Sequence, residues 1–154
     1  DFVKDDGEIC LRDQEIAGTD AGLATALRDE GLPTGDLSDP GRRFHAYRTL
    51  SGEIVGYAGY EPYGEAAFLR SLVVLPAWRG KGAGKAIVAR LARRAFDEGA
   101  QTAWLMTTSA AAFFEAVGFK RTERAMAPQA ILDTRQAKEL CPSSAVVLSR
   151  PIRL

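Results

Sequence analysis

Arg79-Gly80-Lys81-Gly82-Ala83-Gly84-Lys85 stands between an apolar, strand-like run, Phe68-Leu69-Arg70-Ser71-Leu72-Val73-Val74-Leu75, and a helix-like one from Ala86 to Glu98. A glycine-rich turn from strand into helix lets backbone N–H groups converge on an anion, and the helix N-terminus adds its positive partial charge. Arg79, Lys81 and Lys85 add whole charges. The stretch therefore reads as a seat for a phosphate-bearing cofactor. In the helix, Ile87, Leu91 and Ala95 form an apolar stripe with Val88 and Ala92 beside it, while Arg90, Arg93, Arg94 and Asp97 point away. Gly99 stops it, and Thr102 to Thr107 follows as a short apolar strand. Strand, helix and strand make a right-handed βαβ crossover with parallel pairing.

Upstream, Glu8 to Arg12 alternates weakly and is expected to be a first strand. Thr19 or Asp20 caps a helix carrying Leu23 and Leu27, which Gly31 ends. Leu32 to Arg43 is rich in Pro, Gly and Asp and reads as loop. Phe44 to Leu50 and Glu53 to Tyr60 flank a hairpin turn at Ser51-Gly52, and Tyr63-Gly64-Glu65 turns into the next strand. Downstream, Ala110 to Val117 is a short helix ended by Gly118, with a strand at Phe119 to Glu123. Asp133 and Gln136 resemble a capping box for a brief helix to Leu140, and Ala145 to Leu148 is a last strand. The fold class is α/β in the mixed, α+β sense: a central sheet of about 6–7 strands with helices on both faces.

Composition narrows the rest. The 154 residues predict a single domain over 1–154, and 46% hydrophobic content is enough for one core. Twenty basic residues balance twenty acidic ones, which argues against a nucleic-acid or membrane partner through bulk charge. No apolar run approaches the roughly 20 residues of a spanning helix, and no signal-peptide core opens the chain. Cys10 and Cys141 do not make a disulfide framework, and the chain reads as cytoplasmic. It lacks an initiating Met, so an upstream piece or a tag is expected to lie outside it. With His45 the one histidine, no metal site is expected.

Two familiar phosphate loops fail on residues their chemistry requires. A P-loop needs G-x-x-x-x-G-K-[ST], but Gly80 to Gly84 is one residue short and Ala86 stands where a hydroxyl must bind Mg²⁺. A dinucleotide fingerprint needs a third glycine where Lys85 or Ile87 stands. What fits is R-x-x-G-x-G over Arg79 to Gly84, preceded by Leu72-Val73-Val74-Leu75-Pro76. With Phe113-Phe114-Glu115-Ala116-Val117-Gly118-Phe119 downstream, the block resembles the acyl-CoA-binding motif of the GNAT superfamily of N-acetyltransferases.

That resemblance implies acetyl-CoA as cosubstrate and direct attack of an amine on the thioester in a ternary complex. Leu72, Val73 and Val74 would pair with the pantetheine arm like an added strand, and Arg79, Gly80, Lys81, Gly82, Ala83, Gly84 and Lys85 would surround the pyrophosphate. A backbone N–H near Val74 would meet the developing oxyanion. The amine must lose a proton, for which Glu61 at a strand end is the best-placed carboxylate, with ordered water as the alternative. Many family members carry Tyr four residues before the glycine of the closing G-F; this chain has Phe114, which cannot protonate the CoA thiolate. Water, Tyr57, Tyr60 or Tyr63 would then serve, or the thiolate leaves unprotonated. The frequent strand-end Asn is Thr107 here, which keeps a hydroxyl, while Thr108 and Ser109 are expected to cap the next helix.

Arg70 lies two residues before Leu72, on the same face as Phe68, Leu72 and Val74 of a strand expected to be central. A charged residue there must be paired or face a cleft. Its fork would hold an anionic substrate group, or pair with Glu61 or Glu53. Finer likeness lies in Leu69 to Val74, Thr107 to Phe114, and Leu140-Cys141-Pro142-Ser143-Ser144-Ala145, which together resemble GNAT acetyltransferases encoded with arsenic-resistance genes. That implies detoxification of a small amine such as an amino-acid-like organoarsenical, with Cys141 a buried free thiol rather than an arsenic ligand. A small-molecule amine is the expected partner, and the chain a monomer or homodimer. Protein N-acetylation, or CoA sensing without catalysis, are the alternatives.

Overall fold

A computed structural model describes residues 9–140 and 143–152. Its elements are β1 (Arg12–Ile16), α1 (Ala21–Asp29), β2 (Arg43–Arg48), β3 (Ile54–Tyr63), β4 (Ala66–Val74), α2 (Ala83–Asp97), β5 (Thr102–Thr107), α3 (Ala111–Ala116), β6 (Lys120–Arg121), α4 (Gln129–Leu132) and β7 (Val146–Pro151). Short 3₁₀ turns at Pro76–Trp78 and Arg124–Met126 and a π-turn at Gln136–Leu140 complete them. The seven strands form one sheet in the order β1-β2-β3-β4-β5-β7-β6. Among the described residues, no helix is long and apolar enough to cross a membrane.

The meander, the βαβ crossover and the Thr102–Thr107 strand match the sequence expectation. Three ends differ. The first strand lies at Arg12–Ile16, later than the expected Glu8 to Arg12, of which Glu8 is outside the described residues; among these, it pairs with β2 alone, from Arg12↔Arg48 to Ile16↔Phe44. The last strand runs to Pro151 and lies between β5 and β6, antiparallel to both, and the expected strand at Phe119 to Glu123 shrinks to Lys120–Arg121. The capping box at Asp133 and Gln136 is replaced by Thr134, whose Oγ1 accepts the Ala137 N–H at 3.1 Å and donates to the Ile131 carbonyl at 2.7 Å. Cys141 lies outside the described residues.

Burial sorts the sheet's two faces. Leu23, Ala26 and Leu27 of α1, which Asp20 caps through the Leu23 N–H at 3.0 Å, pack with Phe44, Ala46, Tyr57 and Val73. On the opposite face, Ile87, Val88 and Leu91 of α2 meet Tyr47, Ala58, Tyr60, Ala67 and Leu69. A third cluster, with Phe68, Met106, Ile131, Ala137 and Val147, continues the α1 face past β5. His45 is buried, with its ring stacked 6.3 Å from that of Tyr60.

Strand β4 contains the feature that shapes the site. Tyr57 pairs with Val73 but Gly59 pairs with Arg70, so one extra residue sits in β4. That residue region includes Ser71, whose φ of +58° is the one left-handed backbone among the described non-glycine residues. A bulge moves every later side chain to the other face. Arg70 and Phe68 therefore face α1, whereas Leu72 and Val74 pack against the α2 cluster. The regular alternation expected for Arg70 with Leu72 and Val74 is thus corrected.

Candidate active site

Strands β4 and β5 pair in parallel only at their starts, from Ala66↔Thr102 to Phe68↔Trp104. Beyond Phe68 they part, and a cavity of about 450 Å³ fills the gap, bordered by Leu69 to Val74 on one side and Leu105 to Ala110 on the other. The antiparallel ladder sets which backbone groups face it. Leu75 donates to the Val55 carbonyl at 2.8 Å, so Gly56 and Val74, the next pair, direct their polar groups away from each other. The Val74 N–H thus points into the gap, and its carbonyl accepts Arg79 Nε at 3.0 Å.

The glycine loop closes one end. Gly82 starts α2 in the left-handed conformation, φ +81°, with no side-chain cap, and Gly80 has φ +74°. The first bond inside the helix runs from the Ala86 N–H to the Gly82 carbonyl, so the amides of the first turn have no intrahelical acceptor. A Cβ on Gly84 would stand 2.9 Å from the Phe113 ring, so glycine lets α2 approach α3 here. Lys81 and Lys85 are exposed around this turn. Arg79 is engaged: besides the Val74 carbonyl, its Nη2 lies 2.9 Å from Glu30 Oε2.

Arg70 and Glu61 meet in a buried ion cluster. Arg70 gives Nη1 and Nη2 to Asp36 at 2.5 and 2.6 Å, and Nη1 also to Glu61 Oε2 at 2.9 Å, while its Nε donates to Ser71 Oγ at 3.1 Å. Arg42 joins, with Nη2 3.2 Å from Asp36 and Nε 3.8 Å from Glu61, and the Tyr63 hydroxyl donates to Glu61. The fork that would have clamped an anionic substrate is therefore occupied by Asp36, a residue 34 positions away that sequence reading did not single out. Burial would raise the Asp36 carboxyl, but hydrogen bonds and charge from Arg70, then Arg42, outweigh it and hold its pKa below the ordinary value. Glu61, placed by sequence as the base, is fully buried and does not border the cavity.

The proton-donor alternatives separate in space. None of Tyr57, Tyr60 and Tyr63 borders the cavity. The Tyr60 hydroxyl donates to Glu98 at 2.6 Å; burial, then that carboxylate, push its pKa up, and burial with Glu61 does the same to Tyr63. Phe114 does line the cavity, edge-on to Phe113 and Phe119.

Thr107, rather than Thr108 or Ser109, organises the turn into α3. Its Oγ1 accepts the N–H groups of Ser109 at 3.3 Å and Ala110 at 3.0 Å. With both lone pairs in use, its hydroxyl hydrogen is left to donate at the cavity wall. Thr107→Val is expected to cost about 1 kcal/mol through the lost cap, a Tm lower by roughly 2–4 °C, with Thr107→Ser close to wild type in the same thermal melt.

Gln136 also lines the cavity and was read from sequence only as part of a cap. No cluster of three His, Cys, Asp or Glu side chains able to hold a metal occurs among the described residues.

Known proteins share the fold. Residues 11–119 match the family model described as the acetyltransferase (GNAT) family. No curated protein sequence matches the chain. Among solved structures, N-acetylglutamate synthase from Neisseria gonorrhoeae, complexed with coenzyme A and N-acetylglutamate, superposes with a TM-score of 0.75 at 16% identity, over 96% of this chain and 36% of that one. A GNAT-family acetyltransferase from Staphylococcus aureus gives 0.68 at 15% identity, over 94% and 100%. An aminoglycoside 6'-N-acetyltransferase complexed with coenzyme A gives 0.65 at 18% identity, over 93% and 98%.

Proposed function

The chain belongs to the GNAT family of acetyltransferases, and from that premise we propose that it transfers the acetyl group of acetyl-CoA to the amine of a small molecule. One observation carries the reading. The gap between β4 and β5 exposes an unpaired strand edge and ends at a glycine loop whose helix N-terminus has no side-chain cap. An extended arm with amide groups suits the edge, and a pyrophosphate suits the loop. Leu72, Val73 and Val74 take the pantetheine; Gly80, Lys81, Gly82, Ala83, Gly84 and Lys85 surround the pyrophosphate. Arg79 braces the loop through the Val74 carbonyl.

In the reaction the amine lone pair attacks the thioester carbonyl carbon. The C–N bond forms, the Val74 N–H steadies the oxyanion, and collapse breaks the C–S bond. The ammonium proton passes to water in the cavity, because Glu61 reaches the cavity only through Arg70. The sulfur leaves beside Phe114 as a thiolate, in a cavity that the Thr107 hydroxyl also lines, and is protonated by water. Both cavity-lining arginines are engaged by carboxylates, Arg70 by Asp36 and Arg79 by Glu30. The anionic, organoarsenical-like acceptor expected from the resemblance would have to draw Arg70 from Asp36, so we favour an acceptor without an anionic group.

Calorimetric titration with CoA is expected to give saturable one-to-one binding, and thiol release from acetyl-CoA to rise with primary amines. Binding without amine-dependent release would instead fit a CoA-responsive sensor, the reading that Phe114 favours. No CoA binding would remove both.

A further inference from the structure

Buried polar atoms nearly always find partners, because an unpaired one forfeits its hydration without compensation. Gln136 is 5% exposed, and its Oε1 is buried with no hydrogen-bond partner among the described residues. His45 Nδ1 and the Tyr47 hydroxyl share that condition, but neither residue borders the cavity; Gln136 does. Its neighbour Ala137 packs with Phe68, Met106 and Val147, which places Gln136 on the sheet face opposite α2 and the glycine loop. A pantetheine arm entering from the α2 side through the gap delivers its thioester toward that face.

We propose that Gln136 is an acceptor-recognising residue, whose Oε1 takes a hydrogen bond from the N–H of a primary amine with an otherwise uncharged body. The inference rests on the CoA reading above. A neutral primary amine has two N–H groups and one lone pair. Donating one N–H to Gln136 fixes the nitrogen while leaving the lone pair free to attack. The uncharged body follows from the lining: its charged side chains, Arg70, Arg79 and Glu30, are all held in ion pairs within the protein. A further charge on the acceptor would shed water there and meet no free counter-charge.

The test uses the full chain saturated with acetyl-CoA, with benzylamine, ethanolamine and glucosamine as neutral-bodied probes and glutamate as the anionic comparison. Wild type is expected to release thiol with at least one neutral-bodied probe in preference to glutamate. Gln136→Leu should raise the KM for that amine roughly tenfold, the worth of one hydrogen bond. Its KM for acetyl-CoA should stay unchanged, and its Tm should hold or rise because an unpartnered polar atom is gone. Gln136→Asn, which keeps a neutral amide oxygen on a shorter side chain, should give an amine KM between those of wild type and Gln136→Leu. An unchanged amine KM in Gln136→Leu would overturn the proposal, as would a lower Tm together with a raised acetyl-CoA KM, the mark of a structural role. CoA binding with no response to any neutral-bodied probe would also overturn it while leaving the CoA reading intact, whereas absent CoA binding would strike that reading itself.

Discussion

Arg70→Ala is expected to lower folding stability by about 3–5 kcal/mol, the usual cost of removing one partner from a buried ion pair. For a chain of this size that corresponds to a fall in Tm on the order of 10 °C. Both side chains of the Arg70–Asp36 pair are fully buried, as is Glu61. Without Arg70 only Arg42 remains to offset two carboxylates. The ring of Phe44, 5.5 Å below the guanidinium, would also lose its cover. The pH dependence has a definite sign. Asp36 has a pKa held below its ordinary 3.8 in the folded state, so its contribution is present above that value and is lost as pH falls through the folded one. Removing Arg70 removes the main cause of that lowering. The stability gap between wild type and Arg70→Ala should therefore narrow in acid, below about pH 4. Equilibrium denaturation at neutral and acid pH checks both statements. A loss under about 1 kcal/mol, the range of exposed pairs, would mean the cluster is not the anchor described here. Asp36→Leu combined with Arg70→Met should recover much of the loss, since the pair leaves together.

Gly82→Val is expected to raise the Kd for CoA on the order of 10–100-fold while leaving the fold in place. At φ +81° a β-branched residue is strained by roughly 1–2 kcal/mol. The chain escapes the strain by rotating the first turn of α2, which turns the amides away from the pyrophosphate. Gly82 is exposed, so the core does not feel the side chain. Calorimetry gives the Kd, and a thermal melt within a few degrees of wild type shows that binding, not folding, has changed. Unaltered CoA affinity would show that the loop does not hold the cofactor.

How legible this was in the sequence depends on how local the determinants are. The glycine loop, the α2 stripe and the β5 strand are set by neighbours within one element, and each lies where the residue types place it. The first strand was displaced because Arg12 to Ile16 forms an edge with mostly exposed side chains and no apolar alternation. The face of Arg70 was misassigned for one reason: nothing about a serine announces the left-handed backbone at Ser71, and a single extra residue reverses alternation after it. Of its two carboxylate partners, Glu61 was expected and Asp36 was not, because Asp36 lies in a Pro- and Gly-rich loop whose path is fixed only by tertiary packing. Gln136 carried only a capping-box motif, which points to a helix end and not to a ligand. Its signal is an unpaired buried atom, which exists only once the fold encloses it.

The central claim is that the parted edges of β4 and β5 receive acetyl-CoA, and a crystal structure of the chain with CoA tests it most directly. The pantetheine amides should hydrogen-bond to the β4 backbone between Leu72 and Val74, with the pyrophosphate on the amides around Gly82 to Lys85. CoA found outside the gap, or the two strands closed on each other beyond Phe68 and Trp104, would contradict it.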